Sequence, residues 1–291
     1  MFDWIDREPV KGNALLIDGK VLWESESNFS FLNRGFLYGD GFFETIRVVH
    51  GIPQHLPLHQ KRIESSLQAH RIETNQTIHY ENFKNSLLQL CQANNIVNGG
   101  RIRVTFLRSG AGRYTPEQNQ LQWIATVEPL DLNQFEINEK GLRVDIYTEM
   151  KKPLGPLANF KNISASLYVH AGLWAKTNQL DDALISNDRQ NIIESTRSNL
   201  FLVSNRVLYT SGLDTGPVGG VMRAAVINVA LTNGYKVYEC NLSPQEMLRA
   251  DELFLTNAIR GIEWVASYRT KRYFNATSKA LLNLINSSLI H

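Results

Sequence analysis

The sequence predicts a two-domain α/β (α+β) protein, and three observations predict it. At 291 residues the chain has room for two domains of ordinary size or one large one. Strand-like runs with apolar residues at every second position alternate with runs at helical spacing along most of its length. Between two such blocks the stretch "EPLDLNQFEINEKG" loses both periods. A small α/β domain over 1–128, a linker over 129–138 and a larger domain over 139–291 follow from that break.

In the first block, "NALLIDGKVLWES" reads as two short strands about an Asp-Gly turn, and "GFFETIRVVHG" as a strand ending at Gly51. "LPLHQKRIESSLQAH" and "HYENFKNSLLQLCQANN" carry helical spacings, the second through Phe83, Leu87, Leu88 and Cys91. Strands return in "GRIRVTFLRSG" and "LQWIATVEP". In the second block, strands are expected at "LRVDIYT", "DALISN", "NLFLVS", "RVLYTS", "YKVYEC", "DELFLTN" and "IEWVASY". Helices are expected at "ISASLYVHAGLWAKTN", "VMRAAVINVALTNG", "SPQEML" and "ATSKALLNLINSSL". The start of "SPQEML" is marked in full: Ser243 caps, Pro244 suits the first turn, and Glu246 completes a capping box.

Composition removes several classes of function. A net charge of +2 with interspersed signs gives no footprint for nucleic acid or an anionic membrane. Cys91 and Cys240 are far apart and outside any metal or disulfide spacing, which suits a reducing compartment. The opening stretch "MFDWIDREPVKGN" has no apolar leader segment, and no run of about 18 apolar residues occurs, so a cytoplasmic protein is expected. Seven histidines form no HExxH or other ligand spacing, so no metal is expected.

The candidates for chemistry are scattered, and each has an ordinary reading when taken alone. "RSGAGRY" is a glycine-rich loop after a strand; Arg108 and Arg113 on it are either loop residues or a clamp for a substrate carboxylate. "GPVGGVMR" is a tight turn or, through the amides of Val221 and Met222 at a helix start, an anion cradle. Thr256, where a strand stops at Thr-Asn, caps the strand or adds a hydroxyl to the same anion. Arg62 reads as a surface arginine of its helix. Lys161 sits among Phe160, Ile163 and Leu167, so it either snorkels or is a desolvated, nucleophilic amine. Glu194, after two isoleucines and before "NLFLVS", is placed near a core and needs a cationic partner. Together, a desolvated lysine, a phosphate cradle and a buried carboxylate meet the needs of pyridoxal 5'-phosphate. The first supplies an imine partner, the second an anchor, and the third a counter-ion for the pyridinium.

These motifs, in this order, resemble the class-IV aminotransferase family, the fold-type IV pyridoxal-phosphate enzymes. "RGFLYGDGFFETIR" resembles the N-terminal signature, "HQKRI" the phosphate-arginine helix and "FKNISASLYV" the Schiff-base lysine. "ESTRSNLF" resembles the pyridine-nitrogen glutamate, "GGVMR" the phosphate loop, and "ADELFLTNAIRGIEWV" the final strand and turn. The resemblance implies a small α/β domain, a larger domain whose β-sheet is barrel-like with flanking helices, and a homodimer with active sites near the subunit interface. It implies Lys161 as the catalytic lysine, Glu194 on the pyridine nitrogen, and Arg62, Val221, Met222 and Thr256 on the phosphate. Phe43, Arg108, Arg113 and Asn257 are the candidate substrate contacts. Within the family, Phe43 stands where D-amino-acid aminotransferases usually present tyrosine, and Met222 where aminotransferases commonly have threonine. "TNAIRG" also resembles the lyases. The resemblance therefore points to a 4-amino-4-deoxychorismate lyase, which forms 4-aminobenzoate for folate, with a branched-chain or D-amino-acid aminotransferase as the alternative.

Overall fold

The computed structural model describes residues 13–27, 30 and 32–290. The opening stretch read for a leader segment therefore lies, but for its last residue, outside the described residues. The chain divides into two compact units after Asn133.

The first unit is an antiparallel sheet with two helices against it. Its strands are β1 (Ala14–Ile17), β2 (Lys20–Trp23), β3 (Gly41–Val49), β4 (Ile52–Pro53), β5 (Gly99–Arg108) and β6 (Leu121–Leu130), in the order β2-β1-β6-β5-β3-β4. Asp18 and Gly19 both adopt positive φ, 49° and 86°. That is the mirror-image turn whose twist matches a two-residue hairpin, and glycine enters it without strain. A short helix, α1 (Arg34–Tyr38), precedes β3, and α2 (Leu56–His70) and α3 (Tyr80–Ala93) follow β4. Ile63 and Leu67 from α2, Phe83, Leu87, Leu90 and Cys91 from α3, and Phe42, Ile46, Val104, Phe106 and Trp123 from the sheet form one core. Of the apolar residues read on α3, Phe83, Leu87 and Cys91 enter this core, while Leu88 is only half-buried.

Two details depart from the sequence reading. β6 runs on to Leu130 because Gly99 and Gly100 pair with Leu130 and Pro129, so the strand enters the expected linker. Phe135, in the same stretch, is buried and joined to the second unit: its N–H donates to Asn286 Oδ1 (2.9 Å), and Asn286 Nδ2 donates to its carbonyl (2.8 Å).

The second unit is built on a closed sheet. Its strands are β7 (Leu142–Ile146), β8 (Asp182–Ser186), β9 (Ile192–Ser195), β10 (Asn199–Ser204), β11 (Val207–Ser211), β12 (Lys236–Cys240), β13 (Glu252–Asn257), β14 (Gly261–Tyr268) and β15 (Lys271–Arg272). The ladder β10-β13-β14-β7-β8-β9 returns to β10 through the β9–β10 pairing, so six strands close a barrel, and β11 and β12 extend it. Closure removes two exposed edges. Leu184, Leu200, Leu202, Leu253, Leu255 and Val265 share one core. The helix α4 (Ser166–Thr177) lays Ala171 and Ala175 against Tyr147, Ile185 and Ile193 in another. Helices α5 (Val221–Thr232), α6 (Pro244–Arg249) and α7 (Ala276–Ser287) complete the unit. The capping box of α6 forms as expected, with Ser243 N donating to Glu246 Oε2 (2.6 Å) and Glu246 N to Ser243 Oγ (3.3 Å).

α4 begins at Ser166, three residues later than its pattern suggests. Asn162 Nδ2 donates to the Leu157 carbonyl (3.0 Å), and this bond fastens the chain around Lys161 in a non-helical path. β9, which carries Glu194, was not anticipated as a separate strand. Four residues followed at once by another strand show no period of their own.

Candidate active site

The pairing of three strands assembles the site. In β9 and β10, Glu194 lies opposite Asn199; in β10 and β13, Asn199 lies opposite Thr256. Residues paired in register project to the same side of a sheet, so the three side chains stand in one row. With strands about 4.8 Å apart, the carboxylate-bearing residue and the threonine are about 10 Å apart along it. The ladder between β8 and β9 shifts register here: Ile185 pairs with Glu194 but Ser186 with Ile192, which leaves Ile193 as an extra residue. Such a bulge bends the strand and re-aims the next side chain.

The segment before α5 is fastened to that row by side chains. Glu194 Oε2 accepts from Val218 N (2.7 Å), and Asn199 Nδ2 donates to the Val218 carbonyl (2.7 Å). Asn159 Nδ2 donates to the carbonyls of Leu213 and Pro217 (2.8 Å each), and its own carbonyl accepts from Gly219 N (2.9 Å). Asn159 stands two residues before Lys161, so the loop carrying the lysine and the loop opening α5 are tied together. Gly220 caps α5 with no side-chain bond, and a Cβ there would collide with Asn199 Oδ1. The first amides of a helix have no acceptor within it, so Val221 and Met222 offer N–H groups backed by the helix dipole.

Thr256 supplies the test of whether a phosphate fits. It is 1% exposed, and its Oγ1 has no hydrogen-bond partner among the described residues. A buried hydroxyl without a partner is unfavourable in a folded protein, and an anionic oxygen relieves it. This hydroxyl, the uncapped amides of α5 and the carboxylate at the other end of the row match the phosphate and the ring nitrogen of pyridoxal phosphate. The donor set fits the group.

Glu194 corrects one expectation. Its buried charge was assigned to the pyridinium alone, yet Lys152 Nζ lies 2.7 Å from Oε1, with side chains 9% and 3% exposed. Tyr168 Oη also donates to Oε1 (2.8 Å). Burial, and then the adjacent carboxylate, push the Tyr168 phenol far above its ordinary range, so it stays protonated and donates. Lys152 and Tyr168 were both missed by the sequence reading. "KKPLGP" looks like a pair of surface lysines, and only the bond from Lys152 N to the Ser186 carbonyl (2.9 Å) carries the second of them beside β9. Lys161 itself is half-buried, on the loop before α4.

Asn257 is occupied by its turn. Its Nδ2 donates to Ser198 Oγ (2.9 Å), and its Oδ1 accepts from the N–H groups of Ile259 (3.0 Å) and Arg260 (2.8 Å).

The remaining candidates belong to the first unit. Arg62 on α2 donates through Nε and Nη2 to Glu44 (2.7 and 2.5 Å), which also meets His59 Nδ1 at 2.7 Å. It is an oriented arginine rather than a surface one. Phe43 lies under the Arg103 guanidinium, 4.0 Å from the ring centroid. Arg108 is buried and four of its five N–H groups are committed: to Asp40 Oδ2 (3.0 Å), the Arg71 carbonyl (3.0 Å), Asn119 Oδ1 (2.8 Å) and the His70 carbonyl (2.7 Å). That geometry holds its guanidinium against its own unit. Burial alone would raise the Asp40 carboxyl, but Arg108 and Arg34 outweigh it and hold the carboxyl below its ordinary value. Arg34 Nη1 grips the backbone of the "RSGAGRY" loop at the carbonyls of Gly112 (2.8 Å) and Arg113 (2.7 Å). The Arg113 side chain is exposed.

Comparison with known proteins adds the following. A family model described as amino-transferase class IV matches residues 41–268. The aminodeoxychorismate lyase of Vibrio harveyi is 27% identical over 234 residues, which span 79% of this chain and 83% of that protein. A putative branched-chain-amino-acid aminotransferase of Methanocaldococcus jannaschii is 28% identical over 249 residues, 83% of each. Among solved structures, a putative 4-amino-4-deoxychorismate lyase from Legionella pneumophila superposes with a TM-score of 0.80 at 27% identity, covering 91% of this chain and 96% of that one.

Proposed function

Because the chain belongs to the class IV aminotransferase family and is therefore a pyridoxal-phosphate-dependent enzyme, we propose that it is a 4-amino-4-deoxychorismate lyase, releasing pyruvate and forming 4-aminobenzoate. The observation that carries this reading is Met222. The second residue of α5 is a fully buried methionine at the place where, by the resemblance, aminotransferases carry threonine. An apolar side chain there leaves the phosphate to backbone amides and to the Thr256 hydroxyl. Phe43 and "TNAIRG" point the same way, and relatives named as lyases accompany it. Relatives named as branched-chain and D-alanine aminotransferases, at like identity, support the second reading: transfer of an amino group to a 2-oxo acid by the same lysine.

Bound in this site, pyridoxal phosphate supplies a carbonyl that condenses with amines and a ring that withdraws electrons from the carbon being deprotonated. The amides of Val221 and Met222 and the Thr256 Oγ1 hold the phosphate, with Arg62 as the further candidate that the resemblance assigns. Glu194, kept in place by Tyr168 Oη and Val218 N, faces the ring nitrogen. Lys161 Nζ would take the proton from the substrate's ring carbon and return it to the departing enolpyruvyl group, which leaves as pyruvate as the ring aromatises, general acid–base work typically worth about 10²–10⁴-fold. Arg113 is the remaining arginine of its loop for a substrate carboxylate, since Arg108 is committed elsewhere. A place in folate synthesis and in the cytoplasm follows from that activity. A homodimer is part of the proposal and is supported by the exposed apolar side chains of Leu32, Phe36 and Tyr114. Among the described residues no helix is long and apolar enough to cross a membrane.

The test is pyruvate release from freshly generated 4-amino-4-deoxychorismate by the purified protein, beside Lys161→Ala. Rapid release by the wild type and none by the variant is the expected result. No release by a cofactor-loaded wild type that exchanges amino groups between amino and 2-oxo acids would replace this reading with the aminotransferase.

A further inference from the structure

Lys152 has no part in the chemistry above, yet its charge is the nearest to the carboxylate on which that chemistry depends. It lies 2.7 Å from Glu194 Oε1, with its ammonium also 5.6 Å from the centre of the Tyr168 ring. A lysine buried to this degree loses the hydration that normally keeps it at a surface, and the ion pair with Glu194 offsets that loss. Glu194 already accepts three hydrogen bonds, two on Oε1 from Lys152 and Tyr168 and one on Oε2 from Val218. A carboxylate has about four lone-pair positions, so one further donor can be taken.

We propose that Lys152 is a positioning residue that sets the charge of the cofactor's ring nitrogen, by neutralising Glu194 and so weakening its hold on a proton there. The inference rests on the reading that Glu194 meets that nitrogen. An isolated buried carboxylate would bind a protonated nitrogen strongly. With an ammonium already beside it, a second cation meets both the attraction of Glu194 and the repulsion of Lys152, at a separation where screening by salt is weak. Tyr168 does not have this effect, because it donates as a neutral phenol. Nor is Lys152 needed to orient the carboxylate, which keeps its bonds from Tyr168 and from Val218 on both oxygens when the lysine is removed. The pair thus balances two demands: enough negative charge to engage the ring nitrogen, and not so much that the nitrogen is held permanently protonated.

The test separates charge at the ring nitrogen from every other contact. Full-length protein stripped of cofactor is titrated, by absorbance, with pyridoxal phosphate and with its 1-deaza analogue, in which a C–H replaces the ring nitrogen. Wild type, Lys152→Met, Lys152→Gln, Lys152→Arg and Glu194→Gln are compared, and cooperative thermal unfolding confirms that each is folded. In Lys152→Met and Lys152→Gln the preference for pyridoxal phosphate over the analogue is expected to rise about tenfold, one unit of proton affinity at the nitrogen. Lys152→Arg keeps the wild-type preference. A lysine that merely supports the fold would shift both ligands equally, and an unchanged preference in both neutral variants overturns the proposal. Glu194→Gln is expected to abolish the preference. If it leaves the preference intact, the pairing of Glu194 with the ring nitrogen has failed, and the inference falls with it.

Discussion

Replacing Thr256 by valine tests the phosphate site with opposite signs in two states of the protein. The side chains have nearly the same shape, and valine suits the interior strand position between Asn199 and Ile262. In the cofactor-free protein the hydroxyl is buried without a partner, so removing it relieves a desolvated polar group at no cost in packing. Mutational data put such an orphan at about 1–3 kcal/mol, so Thr256→Val is expected to stabilise the cofactor-free protein by about 1 kcal/mol. On the proposed assignment the same hydroxyl would donate to a phosphate in the loaded protein, and a hydrogen bond to a charged group is worth about 1.5–3 kcal/mol. Affinity for pyridoxal phosphate should therefore fall by about ten- to a hundredfold. Urea denaturation of stripped protein measures the first effect and spectroscopic titration with cofactor the second. A variant that is less stable without cofactor, and binds it as tightly as the wild type, would refute the assignment of Thr256 to the phosphate.

Three further outcomes are expected. Arg108→Ala leaves two backbone carbonyls and Asn119 without this donor, and Asp40 with Arg34 alone, and should destabilise the protein by about 3 kcal/mol in chemical denaturation, with KM unchanged for the folded fraction; retained stability with a steeply raised KM would return Arg108 to the substrate. Glu194→Ala removes the partner of a buried lysine as well as the ring-nitrogen contact, so it should lose stability as well as most activity, whereas near wild-type turnover would sink its role. Acid should destabilise the protein in two stages: His55, held at about 4 by burial and by His59, is neutral when folded, so stability falls as pH drops from 6.5 towards 4. Burial raises Glu44, but Arg62 and His59 outweigh it and set the carboxyl at about 2, so its stabilisation is present above 4.5 and is lost as pH falls towards 2. Urea midpoints across that range check both, and Glu44→Gln should flatten the lower stage.

The elements of the fold were legible where they are long and periodic. The strands β5 and β6 and the helix α3 were legible because each buries one apolar face against the core of the first unit. What could not be read is what depends on pairing. The closure of the barrel rests on one ladder between Glu194 and Asn199, and neither residue's neighbours announce it. The same holds for the site. Lys161, Glu194 and the α5 start were recognisable as motifs, because each chemistry is carried by local sequence. Lys152 reaches Glu194 across 42 positions, and no local pattern distinguishes it from the surface lysine beside it. The partners of Arg108 were hidden for the complementary reason: four acceptors drawn from Asp40, His70, Arg71 and Asn119 converge on it, and only the folded sheet brings them together.

The site's rigidity also comes from the sheet rather than from the catalytic motifs. Glu194 and Asn199 hold the two backbone groups of one residue, the N–H and the carbonyl of Val218, while Asn159 holds the residues on either side of it. The carboxylate proposed to meet the ring nitrogen is therefore also a strut for the loop that opens α5, so that a change at either end would be felt at the other. The extra residue at Ile193 turns Glu194 into the row, and the absence of a Cβ at Gly220 lets Asn199 approach. A cofactor seated on this row would be gripped at both ends by groups whose spacing the strand register sets. Chemistry carried by a loop lysine then needs little rearrangement of the rest, which is how one barrel can serve a lyase or an aminotransferase through the side chains placed around it.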